Sequence, residues 1–103
     1  MELNIDQTLQ QAIVAHKEGK LEEAEKLYRS ILKIEPTTIN ANHNLSILLH
    51  ELGKLHEAEK HCKKVIESKP DFAEAYHNLG IILKSFGRFN DAEANIKKAI
   101  VTC

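Results

Sequence analysis

The phrase NHNLSILLHELG at 42–53 returns as YHNLGIILKSFG at 76–87, so the chain repeats itself at an interval of 34 residues. A repeat of this length constrains the fold more than any composition, because one local structure must recur and then pack against its own copy. His43, Asn44, Leu45, Ile47, Leu49 and Gly53 align with His77, Asn78, Leu79, Ile81, Leu83 and Gly87. A fainter copy lies upstream, where Gly19, Leu21, Ala24 and Pro36 keep register with Gly53, Leu55, Ala58 and Pro70, and Phe89 and Ala92 continue the series.

Each recurring residue has a physical task. Glycine accepts the left-handed conformation that ends one helix and turns the chain toward the next, so Gly19, Gly53 and Gly87 divide each repeat into two helices. Proline cannot continue a helix, so Pro36 and Pro70 close the second helix of their repeats. Alanine at 24, 58 and 92 lets the two helices approach closely. Between these marks apolar residues recur at three and four, as in Leu45, Leu48, Leu49 and Leu52, or Leu79, Ile82, Leu83 and Phe86, which is an amphipathic helix. The spacing predicts helices over 6–18, 21–34, 39–52, 55–68, 73–86 and 89–102. Asp71 followed by Glu74 predicts a capping box, and Glu25–Arg29, Glu59–Lys63 and Glu93–Lys97 are stabilising pairs on exposed faces.

Composition narrows the function classes. At 103 residues the chain is one domain. Its 14 Lys and Arg nearly cancel 15 Asp and Glu, so no excess field favours nucleic acid or an anionic membrane. No basic leader precedes an apolar segment, and no apolar run approaches the roughly 18 residues that span a bilayer, so a cytoplasmic protein is expected. Two cysteines, Cys62 and Cys103, do not make a disulfide framework. His56 and His61 are five apart, which rotates them by roughly 140° on a helix, so they are not a zinc pair. No phosphate loop, no nucleophile with a base and no carboxylate pair in a recognisable strand-helix setting appears; the expectation is no enzyme, no cofactor and no metal.

A helical hairpin of this period, with Leu79-Gly80, Leu83, Gly87, Phe89, Ala92, Ile96, Ala99 and earlier closing prolines, resembles the tetratricopeptide repeat (TPR). The resemblance spans about 5–103, as repeats over 5–38, 39–72 and 73–103. The first copy departs most, with Thr8, Gln11 and Ala15 in place of larger apolar residues, so its first helix is expected to fray or to form an N-terminal boundary. The resemblance implies an all-α, right-handed superhelical solenoid of six antiparallel helices. Its first helices would line a concave groove for an extended or helical segment of a protein partner.

The register then selects the groove residues. Leu45 and Leu49 turn inward, leaving His43, Asn44, Ile47 and His50 on the free face, with His77, Asn78, Ile81 and Lys84 in the third repeat and Gln10, Ile13 and His16 in the first. Gln10, Asn44 and Asn78 form a file of amides able to donate to and accept from a peptide backbone, and Ile13, Ile47 and Ile81 a file of apolar contacts. In TPR proteins that carry a glycosyltransferase an asparagine file of this kind contacts the bound polypeptide, and Asn44 and Asn78 resemble it. The lysine and asparagine clamp that binds chaperone C-termini in another TPR subclass is absent, its sites being Leu9, Ile13, His43 and Ile47. A third closing proline would fall at 104, past Cys103, so a longer protein is expected. Ile96, Ile100 and Phe86 are expected on a bare terminal side open to self-association.

Overall fold

The computed structural model describes residues 4–102, and Cys103 lies outside them. Six helices follow one another as α1 (Ile5–Lys17), α2 (Leu21–Ile34), α3 (Ile39–Glu51), α4 (Leu55–Ser68), α5 (Ala73–Ser85) and α6 (Phe89–Thr102). They form three antiparallel hairpins stacked into a helical solenoid measuring 46 × 25 × 19 Å.

The turns inside the hairpins follow from glycine. Gly19, Gly53 and Gly87 sit at φ +80°, +78° and +77°, and the amides of Lys20, Lys54 and Arg88 bond back to Ala15, Leu49 and Leu83 carbonyls to close each first helix. α2 and α4 stop two residues before Pro36 and Pro70. The entries to α3 and α5 are latched by different side chains at one repeat position: Asn42 Nδ2 donates to Pro36 O at 2.9 Å, and Tyr76 Oη to Pro70 O at 2.6 Å. The expected capping box does not form. Phe72 takes the N-cap position of α5, and no side chain caps it, so Asp71 stands one residue too early. α1 forms in full, with Asn4 Oδ1 accepting from Gln7 N at 3.0 Å.

Within each hairpin the core is alanine at the crossing and large side chains around it. Ala24, Ala58 and Ala92 are fully buried, as are Tyr28, Ile31, Leu45, Leu48, Leu49, Val65 and Ile82. Gly80 sits at a close approach of α5 and α6, since a Cβ there would meet Ile96 Cγ1 at 2.7 Å and Ala92 O at 3.2 Å. Side chains tie successive hairpins together. The buried Cys62 thiol donates to Ala75 O at 3.1 Å. Along the first helices His16 Nε2 meets Glu51 at 3.1 Å and His50 Nε2 meets Ser85 Oγ at 2.8 Å. Across the second helices Lys54 reaches Glu25 at 3.3 Å and Arg88 reaches Glu59 at 3.1 Å. The three predicted i to i+4 pairs are all made, at 2.9 Å for Arg29–Glu25, 3.2 Å for Lys63–Glu59 and 3.4 Å for Lys97–Glu93.

Candidate binding groove

Because α3 and α5 bury their leucine stripes against α4 and α6, their remaining faces meet along one side of the array. There α3, α5 and α6 enclose a cavity of about 570 Å³. Six residues selected by the repeat register line it: His43, Ile47, His50, His77, Asn78 and Ile81. Glu51, Ala73, Glu74, Ile96, Ala99 and Ile100 complete the wall. Ile96 and Ile100 were selected from the sequence as a bare terminal side, and the fold merges that side with the groove. Glu51 and Glu74 were not selected, and their exposed positions at the cavity rim carry no repeat signal.

The remaining selected residues lie elsewhere. Ile13, His16 and Asn44, with Lys17 and Tyr28, line a separate hollow of about 260 Å³. Gln10 stands on the outer side of α1 with Gln7, Gln11 and Val14. Lys84 faces Phe89, Glu93, Ile96 and Lys97.

The amide file is therefore not uniform. Asn78 is buried rather than open, and its Nδ2 donates to Ser46 Oγ at 2.6 Å. Ser46 supplies an oxygen that the equivalent residue one repeat earlier, Ala12, lacks. Asn44 accordingly keeps its side-chain amide without a hydrogen bond among the described residues and stays half-buried.

The electrostatics of the cavity are mild. His43 packs edge-on against Phe72, ring centroids 5.2 Å apart, with Nε2 3.9 Å from Glu74 Oε2. Burial holds its pKa below the ordinary histidine value against the opposing pull of Glu74, so the ring is neutral at pH 7. Its Nδ1 is buried without a hydrogen bond. His16 occupies the Glu51 carboxylate, and His77 is exposed. Next door the Tyr28 hydroxyl is buried without a partner among the described residues, its pKa pushed up to about 12 by burial and by the charge of Glu51. The Cys62 thiol, also pushed up to about 12 by burial, stays protonated and unreactive. His56 rests on Phe86 while His61 is buried on Asn42, so the two rings lie in different surroundings. Among the described residues no group of three or more His, Cys, Asp and Glu is placed to hold a metal ion, and no helix is long and apolar enough to cross a membrane.

Comparison with known proteins returns one architecture. The second TPR of Spaghetti (RPAP3), solved bound to an HSP90 peptide SRMEEVD, superposes with a TM-score of 0.91 at 20% identity, covering 96% of this chain and 92% of that one. MamA superposes with a TM-score of 0.90 at 18% identity, covering 96% of this chain and 58% of that one. No curated protein matches the chain. Tetratricopeptide repeat profiles match residues 15–79 and 72–103. With the glycine turns, the alanine crossings and three stacked hairpins in place, the chain belongs to the tetratricopeptide repeat family.

Proposed function

We propose that the protein is a non-catalytic interaction module that holds a peptide segment of a partner protein in the cavity between α3, α5 and α6. The observation that carries this reading is the convergence of six register-selected residues, His43, Ile47, His50, His77, Asn78 and Ile81, on one cavity whose far wall is Ile96 and Ile100. Such a hollow, mostly apolar with a few polar groups at its edge, suits one or two apolar side chains of an extended or helical segment. Glu74 and His77 at the rim then meet the segment's polar groups, and Asn44 in the adjoining hollow meets its backbone.

The RPAP3 repeats support the reading only in that a domain of the same fold binds a peptide. Their peptide is acidic, whereas the positions that would clamp a carboxylate here are Leu9, Ile13, His43 and Ile47, none of them a fixed cation. The partner segment is therefore apolar rather than acidic at its anchor.

Selection of random displayed peptides on the immobilised protein tests this. Selected sequences should share one or two large apolar residues, and Ile81→Lys should weaken them at least tenfold while circular dichroism stays unchanged. Equal binding by the variant, or selection of acidic C-termini, refutes the proposal.

A further inference from the structure

The internal junctions of the array show what its two outer faces are shaped to meet. Where the second hairpin joins the first, Lys54 pairs with Glu25 at 3.3 Å and Glu57 with Arg29 at 2.9 Å. Where the third joins the second, Arg88 pairs with Glu59 at 3.1 Å. Shifting the register by one repeat makes Lys20 and Glu23 the counterparts of Lys54 and Glu57, and a double shift makes Glu93 and Lys97 the counterparts of Glu25 and Arg29. Lys20 and Glu23 line a surface hollow with Val14 and Leu27 at one end of the molecule. Glu93 and Lys97 line another with Phe89 and Ile96 at the other end. Val14 holds the position of Leu48 and Ile82, which are 0% exposed inside the array, yet Val14 is 52% exposed.

We infer that the two ends fit one another: α1 of a second copy lies on α6 as α3 lies on α2 and α5 on α4. Lys20 then reaches Glu93 and Glu23 reaches Lys97, while Val14 enters the apolar face of α6. The occupant is a second copy because the charges match in sign and order. The arriving end offers cation then acid, and α6 offers acid then cation, as at the first internal junction. The contact joins two different surfaces, so each added copy leaves both kinds of end free and assembly is open rather than closed at a dimer.

The association is weaker than an internal junction for stated reasons. Gln7 and Gln11 stand where Ala41 and Leu45, and again Ala75 and Leu79, are buried. Lys84 would also face Lys17, at the position where His16 meets Glu51 and His50 meets Ser85.

Sedimentation velocity of the intact chain in reducing buffer, over a wide concentration series, tests the inference. The weight-average mass should rise past two chains without a plateau. Val14→Arg, on a side chain half exposed in the monomer, should abolish the rise, and Gln11→Leu should bring it to several-fold lower concentration. Lys20→Glu and Glu93→Lys should each delay it a few-fold, as loss of one exposed pair does, and the double variant should recover it. A chain that stays monomeric, stops at two, or assembles indifferently to these variants overturns the inference. Ile96 lines both the hollow on α6 and the peptide cavity, so the two occupants compete there. Peptide binding is judged separately on Val14→Arg, which leaves every cavity residue unchanged.

Discussion

His61 Nδ1 lies 2.8 Å from Asn42 Oδ1 in the interior of the second hairpin. Asn42 Nδ2 donates to Pro36 O at 2.9 Å and to Thr38 O at 3.2 Å, which turns its oxygen toward the ring and places the neutral imidazole proton on Nδ1. One buried imidazole thus joins α4 to the turn that enters α3.

That bond makes stability depend on pH in a defined direction. Burial first, then the charges of Lys64, Arg29 and Lys60, push His61 down to about 4, while Glu57 opposes. The unfolded chain takes up the proton near pH 6.5 and the folded chain only near pH 4, so stability is complete above the first value and is lost between the two as pH falls. The loss should reach about 2 to 3 kcal/mol at the lower end. His43, lowered by burial, acts in the same direction. Urea denaturation at pH 7 and pH 5 should show the native protein losing stability and His61→Gln losing less; equal slopes would remove His61 from the explanation.

Gly80 faces Ile96, whereas the equivalent pair one repeat earlier is Ser46 and Cys62. In these two repeats the smaller first-helix residue, Gly80, accompanies the larger second-helix residue, Ile96. Gly80→Ser should cost roughly 1 to 3 kcal/mol through overpacking, offset in part by the loss of a helical glycine. Adding Ile96→Cys should recover much of that cost. Chemical denaturation of the four proteins of this cycle measures the coupling, and strict additivity would show that the two positions do not sense each other.

Gly53 tests backbone strain without a clash. A Cβ at that position meets nothing within 4 Å, but φ is +78°. Gly53→Ala should cost about 1 kcal/mol from conformation alone, lowering the thermal midpoint by several degrees. An unchanged midpoint would mean that the turn relaxes to another geometry.

Asn44→Ala and Asn78→Ala should separate two roles that the repeat assigns to one residue type. Asn78→Ala removes the donor to Ser46 and should cost roughly 1 to 2 kcal/mol of stability. Asn44→Ala should leave the melting curve in place and weaken a selected peptide a few-fold. Identical behaviour of the two variants in both assays would contradict the difference in their surroundings.

The fold was legible because its boundaries are chemical. Each predicted helix begins and ends within one residue of the observed one, since glycine at positive φ and proline leave little choice of terminus. Asp71 misled because a capping pattern names residue types and not the residue at which the helix begins; the chain turns into α5 one step later, at Phe72. The groove was legible as a face but not as a cavity. Register alone treats Asn44 and Asn78 as equals, while the neighbours that distinguish them, Ala12 and Ser46, lie one repeat away. Glu51 and Glu74 enter the rim through the stacking of hairpins, which no single repeat encodes.

The stacking has a further effect on how the chain reaches this state. Among the described residues every helix backbone lies beside its sequence neighbours, with α1 also beside α3 and α3 beside α5, and the Arg29–Glu57 pair joins α2 to α4. Almost no distant stretches must find each other before structure is rewarded, so the search is short and collapse should be complete within milliseconds. The same economy means that a pull on the two termini would peel the molecule one hairpin at a time, each release exposing the surface of the next.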